Sequence, residues 1–254
     1  MSSIWSEEAG HASSPVVVMI HGSMDRSAGM LKLSRRLDDR FRVLRYDRRG
    51  YGRSQPHEGP FDMPDQLDDL FVLLAGRRAV LVGHSYGGNI ALAAAVRAPS
   101  QIAGVAAYET PLSWEPWWPG TTAGSTAIQN GDDPELAAEA FLRRMLGDAR
   151  WEALTPEIRA ARRAQGPAMV GELRDLRANA PWVAGEVRVP VVAAYGTLGQ
   201  AHHQRGMHHV ASSIEGSQLV ELEGCRHDAP LSHPDRFCTE VVQSLLDVVG
   251  GDWA

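Results

Sequence analysis

Short apolar runs alternate with amphipathic stretches along most of the chain. Pro15 to Ile20 carries Val16, Val17 and Val18 in unbroken succession. A run with no polar alternation fits a strand of a parallel sheet covered on both faces. Arg42 to Tyr46, Ala79 to Val82, Ile102 to Tyr108, Val189 to Gly196 and Leu219 to Leu222 read as further strands. Between them the period lengthens. Met30, Leu33 and Leu37 predict a helix over Ala28 to Asp39. Met63, Leu67, Leu70 and Leu74 form the stripe of a helix that begins at Pro64, where proline suits the first turn. A small-residue helix is expected from Asn89 to Arg97. A closing helix is expected over Pro234 to Val249, with Phe237, Val241, Leu245 and Val248 on one face. Strands alternating with helices predict an α/β fold with a doubly wound, mostly parallel sheet. Residues 1–14 read as a loose arm.

The pattern changes from 112 to 185. Five of the seven tryptophans (Trp114, Trp117, Trp118, Trp151 and Trp182) fall here. Pro134 to Leu146, and Pro156 to about Ala178, have helical character. The expectation is a helical cap, residues 112–185, inserted between two parts of one core, 1–111 and 186–254. One or two tryptophans would line an apolar pocket and the rest would pack the cap.

Composition narrows the function classes. A chain of 254 residues suits one sizeable domain with a small insertion. The net charge of -6 disfavours nucleic acid as a partner. No 18-residue apolar run occurs, so no membrane span is expected. The polar, acidic start from Met1 to Gly10 is unlike a secretory signal, and a cytoplasmic location is the expectation. Cys225 and Cys238 suggest two free thiols rather than a disulfide framework. A homodimer is compatible with the sequence and not required by it.

The chemistry centres on Gly83-His84-Ser85-Tyr86-Gly87, followed by Gly88. A strand leads into it and a helix out of it. This is the G-x-S-x-G spacing of a nucleophile elbow, which holds a serine on a tight turn and needs tiny residues on either side. The helix N-terminus adds free N–H groups near the Ser85 oxygen. Asp47-Arg48-Arg49-Gly50-Tyr51-Gly52-Arg53-Ser54 is glycine-rich, but it lacks the Gly-Lys-Ser/Thr ending of a phosphate-binding loop. Asp47 and one of Arg48 and Arg49 are expected to pin it through a partly buried ion pair.

These motifs resemble the α/β-hydrolase superfamily, in its branch of small esterases, C–C hydrolases and cofactor-free perhydrolases. His21-Gly22 after an apolar strand is similar to that family's oxyanion-loop signature, the D-x-R-G-x-G-x-S loop matches at 47–54, and His227 stands where its catalytic histidine does. The resemblance implies that Ser85 attacks a carbonyl carbon and that His227 takes its proton. Oxyanion donors would be the N–H of Tyr86 and that of Ser23 or Met24, with the resemblance favouring Ser23. His21 and His84 read as structural. The family's usual acid, in a Gly-x-x-Asp pattern, is missing, since this chain reads Gly196-Thr197-Leu198-Gly199. Glu109, at the end of the strand after the elbow unit, is the compensating candidate. Asp228 is another, and a carbonyl or water could hold His227 instead.

The implied reaction is hydrolysis of an ester or thioester of a small to medium, partly apolar acyl substrate, with no cofactor or metal. C–C bond hydrolysis on the same machinery is an alternative. A non-catalytic ligand-binding protein on a hydrolase scaffold is another, motivated by the missing acid. His202, His203, His208 and His209 read as a solvated helix surface, His202 and His209 sharing a face, without a convincing metal set.

Overall fold

The computed structural model describes residues 4–250. Seven strands form one sheet: β1 (Ser6–Ala9), β2 (Val16–Ile20), β3 (Arg42–Tyr46), β4 (Ala79–His84), β5 (Ile102–Tyr108), β6 (Val191–Gly196) and β7 (Gln218–Leu222). Their spatial order is β1-β3-β2-β4-β5-β6-β7. β1 runs antiparallel to β3, and every other neighbouring pair is parallel. β2, β4, β5 and β6 are buried along their whole length, as their unbroken apolar runs require.

The helices before the insertion are α1 (Leu31–Ser34), α2 (Met63–Leu74) and α3 (Tyr86–Arg97). Five more lie between β5 and β6: α4 (Ala123–Gln129), α5 (Pro134–Leu146), α6 (Asp148–Glu152), α7 (Pro156–Arg163) and α8 (Gly166–Ala178). α9 (Ala201–Ser213) joins β6 to β7. After β7 come α10 (Ala229–Ser232), α11 (Pro234–Arg236) and α12 (Gln243–Val249).

Side chains that alternate along each strand feed two cores. Val16, Val18 and Ile20 of β2 join Leu67, Leu70, Ile90 and Val210 on one face. Val17 and Met19 join Met30, Leu33, Phe237 and Val241 on the other. A third cluster unites Ala137, Ala138, Trp151 and Met169 of the inserted helices with Met24 and Tyr51. Those two residues belong to loops after β2 and β3, so the insertion packs over the C-terminal edge of the sheet.

Several local expectations need correction. Within the stretch read as a loose arm, Ser6–Ala9 is an edge strand on β3, while residues 1–3 lie outside the described residues. The helix expected over Ala28 to Asp39 is a 3-10 turn, Ser27–Met30, followed by the single turn of α1. Met30, Leu33 and Leu37, whose spacing suggested the helix, are nonetheless buried. Gly29, Asp38 and Asp39 are weak helix formers, and burial of three side chains does not need a continuous helix. The helix expected over Pro156 to Ala178 breaks before Gly166, where a Cβ would fall 1.9 Å from the Pro134 carbonyl oxygen. The elbow helix starts at Tyr86 rather than Asn89. In the closing helix a π-helical stretch, Phe237–Val242, shifts the apolar stripe toward Val242 and Leu246 and leaves Val248 exposed. No helix of the described residues is long and apolar enough to cross a membrane.

Candidate active site

The strand order reverses at β2 and β4, because β3 lies on one side of this pair and β5 to β7 on the other. In open α/β sheets the C-terminal edge beside such a reversal is a crevice for ligands. Here β2 ends opposite β4, with Ile20 beside Gly83, and β4 ends opposite β5, with His84 beside Tyr108. The loops carrying Gly22, Ser85 and Glu109 therefore leave the sheet side by side.

Ser85 has φ 54 and ψ -123, a backbone conformation that side-chain-bearing residues rarely adopt. Its N–H donates to the Tyr108 carbonyl at 2.8 Å, which ties the elbow to β5. The flanking glycines are steric necessities. A Cβ at Gly83 would meet the Gly87 carbonyl oxygen at 2.4 Å, and one at Gly87 would meet that of Ile20 at 2.2 Å. Tyr86 is the first residue of α3, so its N–H has no partner inside the helix. Gly22 abuts Ser85, since a Cβ there would lie 2.9 Å from the Ser85 Cβ.

Glu109 is wholly buried at the end of β5, with φ 45. Its Oε2 accepts a 2.6 Å hydrogen bond from His227 Nδ1, and its Oε1 accepts one of 3.0 Å from the Gly196 N–H. A Cβ at Gly199 would stand 2.3 Å from that Oε1. The carboxylate of Glu109 thus occupies the space beside Gly199, the position where an acid was missing. His227 sits on the loop after β7, which is fixed from below: the Tyr108 hydroxyl donates to the Arg226 carbonyl at 2.7 Å. Among the described residues no hydrogen bond joins Ser85 to His227. Such bonds often form only with substrate in place.

The loop after β2 is held by His21 and Arg48. His21 Nε2 accepts from the Arg48 backbone N–H at 2.9 Å, so the ring proton is on Nδ1, which donates to the Gly22 carbonyl at 2.7 Å. Burial, then the Arg48 charge, push the His21 pKa well down, and the ring stays neutral. Arg48 is fully buried and pairs with Glu172 of α8 at 2.6 Å. Burial opposes its charge, but the Glu172 carboxylate more than offsets this and holds Arg48 protonated. The expected pairing of Asp47 with Arg48 or Arg49 does not occur. Asp47 accepts from the Ser27 and Arg53 amides and lies 3.6 Å from the Arg53 guanidinium. Arg49 pairs with Asp65 and Asp69. Arg48 was drawn instead to a carboxylate 124 residues away, invisible to local spacing.

His84 is buried, and its Nε2–H donates to the His227 carbonyl at 2.8 Å. Burial, with His227 beside it, lowers its pKa to about 3. It holds His227 through the backbone. The surface reading of the histidines on α9 holds for exposed His208 and fails for His203. His203 stacks on His227, with ring centroids 4.8 Å apart and planes 26° apart. Its Nδ1 is buried without a partner. The signal was available: 203, 206, 207 and 210 share one helical face, and Gly206, Met207 and Val210 are buried. His202 is half-buried against Trp118, with centroids 4.8 Å apart. Glu109, His203 and His227 bring one donor atom each within 4.8 Å of one another. Two of these donors, Glu109 Oε2 and His227 Nδ1, are already joined by the 2.6 Å hydrogen bond.

Tryptophan roles divide. Trp151 is wholly buried, with its Nε1–H on Glu139. Trp182 donates to Asn89 Oδ1 at 2.9 Å and fastens the end of the insertion to α3. Trp114 and Trp117 are half-buried against the core. Cys225 and Cys238 are unbridged.

Comparison with known proteins places this geometry. Residues 17–240 match the alpha/beta hydrolase family. The pimeloyl-(acyl-carrier protein) methyl ester esterase of Chromobacterium violaceum is 29% identical over 91% of this chain and 94% of its own. The 2-(acetamidomethylene)succinate hydrolase of Mesorhizobium japonicum is 36% identical over 100 residues, which span 38% of this chain and only 36% of that protein. In fold, a thermophilic esterase from Thermogutta terrifontis superposes with a TM-score of 0.78 at 22% identity, over 98% of this chain and 94% of its own. A family match across most of the sequence, an elbow on the expected sheet edge and esterases among the relatives lead to one statement: the chain belongs to the alpha/beta hydrolase family and is a hydrolase.

Proposed function

We propose that the chain is a serine hydrolase that cleaves an ester or thioester of a small to medium, partly apolar acyl substrate through an acyl-enzyme on Ser85. The observation that carries this reading is the 2.6 Å bond from His227 Nδ1 to the buried Glu109 carboxylate, one loop away from a serine on a strained elbow. Bond and proton assignments follow from it. The Glu109 acceptor keeps the His227 proton on Nδ1, which leaves Nε2 bare to take the Ser85 proton. Ser85 Oγ bonds to the carbonyl carbon, and negative charge develops on the carbonyl oxygen. The N–H groups of Ser23 and Tyr86 stabilise that oxygen. Ser23 is preferred over Met24 on the family resemblance, as the residue that directly follows His21-Gly22. His227 then passes its proton to the leaving alcohol or thiol as the carbonyl re-forms, and water repeats the cycle on the acyl-enzyme.

The esterase names among the relatives favour an ester, and the inserted helices over the sheet edge would cover an acyl chain like a cap. The ligand-binding reading drew on the missing acid at Gly199, and Glu109 fills that place. Intact mass after a fluorophosphonate probe tests the proposal. One adduct on the wild type and none on Ser85→Ala is expected, followed by turnover of p-nitrophenyl esters. An unmodified wild type, with the probe shown to enter the pocket, would sink it.

A further inference from the structure

Arg48 touches three parts of the site at once. Its Nε donates to the His21 carbonyl at 3.0 Å and its Nη2 to the Gly22 carbonyl at 3.2 Å. Its Nη1 and Nη2 meet Glu172 at 2.6 and 3.3 Å. The guanidinium also lies over the Tyr51 and Tyr86 rings, 4.9 and 4.8 Å from their centroids. Glu172 is fully buried on α8, and it accepts a third bond, 2.7 Å, from the Tyr51 hydroxyl. An unshared arginine would be costly here, and an unshared glutamate equally so; together they satisfy each other. The pair therefore exists only when α8 is seated on the loops at the sheet edge.

The orientation of one peptide plane follows. In a planar trans peptide the C=O and the next N–H point in opposite directions. The Gly22 carbonyl is held by His21 Nδ1 at 2.7 Å, Arg48 Nη2 at 3.2 Å and the Asp25 amide at 3.4 Å. With the carbonyl turned into this buried cluster, the Ser23 N–H is turned away from it. Gly22 itself packs against Ser85. We infer that Arg48, charge-balanced by Glu172 of the inserted helices, is the positioning residue that fixes the Gly22–Ser23 peptide with its N–H presented to the oxyanion at Ser85. This deepens the serine-hydrolase reading and rests on it. Oxyanion stabilisation is thereby tied to the seating of α8.

The experiment separates charge, packing and catalysis. Arg48→Met with Glu172→Leu replaces the ion pair by apolar groups of similar length, a change that often preserves or raises stability. It removes both side-chain bonds from Arg48 to the loop carbonyls. The expected result is a folded protein whose melting temperature falls by some degrees, because the buried Tyr51 hydroxyl loses its acceptor, and a kcat for p-nitrophenyl acetate reduced on the order of 100-fold with little change in KM, the scale of losing one oxyanion donor. Affinity for an aryl boronic acid, which forms a tetrahedral adduct on Ser85, should fall in parallel. Glu172→Gln keeps the volume and weakens the pair, and it should lower kcat by a smaller factor. Wild-type kcat and boronate affinity in the double variant would overturn the inference. If the double variant does not fold, Glu172→Gln decides: a lower melting temperature with unchanged kcat and boronate affinity means a structural role only, and overturns it too. Failure of the underlying reading looks different, because the wild type would then form no fluorophosphonate adduct.

Discussion

The space beside Gly199 gives a sharp test of the proposed role of Glu109 as the acid that orients His227. Gly199→Ala adds one methyl. Its Cβ would lie 2.3 Å from Glu109 Oε1 and 2.9 Å from the Gly196 carbonyl oxygen. Backbone oxygen cannot yield easily, so the carboxylate must retreat by about 1 Å to reach ordinary contact, and misplacement on that scale can cost about 100-fold in rate. The retreat strains the two bonds that orient the acid, to Gly196 N–H at 3.0 Å and to His227 Nδ1 at 2.6 Å. A 100-fold loss corresponds to about 2.7 kcal/mol of transition-state stabilisation. The φ angle at Gly199 lies outside the left-handed region, so alanine is tolerated by the backbone itself. The melting temperature should therefore change by only a few degrees while kcat for p-nitrophenyl acetate collapses. A kcat within threefold of wild type would refute the reasoning, because the methyl cannot share the site with an unmoved Glu109.

The converse variant moves the acid. Glu109→Gly suits the φ of 45 at that position and empties the space. Adding Gly199→Asp then puts a carboxylate back from the other side. The pair should recover at least about tenfold over Glu109→Gly alone, since an orienting acid is worth far more than that.

Three further outcomes are expected. Trp182→Phe leaves the buried Asn89 Oδ1 without its 2.9 Å donor and should cost about 1–3 kcal/mol in urea unfolding; an unchanged midpoint would reject it. His84 has a folded pKa of about 3, so the unfolded chain takes up a proton below its ordinary value of about 6.5 while the native protein does not. Stability is therefore lost as pH falls from about 6.5 toward 3, roughly 2 kcal/mol at pH 5 from this residue; His84→Asn should flatten the difference between urea curves at pH 8 and pH 5, and an identical difference would exclude His84 as its source. His203→Ala should lower kcat several-fold at constant KM by removing the ring stacked on His227, and His203→Phe should restore it. Equal loss in both variants would deny the stack a role.

What could be read from the sequence was whatever depends on neighbours along the chain. The buried strands declared themselves because a strand covered on both faces has no polar positions to interrupt it. The elbow declared itself because its sterics demand glycine at fixed offsets from Ser85. Short-range inference failed where tertiary contacts replaced local ones. Ser6–Ala9 carries a serine and two glutamates, and it is a strand because β3 offers it a free edge and Arg42 and Arg45 offer its carboxylates partners. His203 was misread because four histidines within eight residues look like a solvated surface until the burial of Met207 and Val210 fixes which face turns inward.

The acid and the arginine mark the two sides of that boundary. The contact of Glu109 with His227 was legible because an absence pointed to it: a glycine at 199 is uninformative alone, but beside the serine, the histidine and the elbow it suggests a carboxylate arriving from elsewhere, and β5 ends on the same edge. The structure makes the glycine a consequence of the glutamate, since the space at Gly199 is where Oε1 resides. No comparable absence announced Glu172. Asp47 looked like a partner for either Arg48 or Arg49, although adjacent residues on an extended chain direct their side chains to opposite faces, which excludes Arg48. That geometry turns Asp47 toward the Ser27 and Arg53 amides and leaves Arg48 facing the insertion. A buried guanidinium there requires an anion from the helices above it, which is why the glutamate sits on α8.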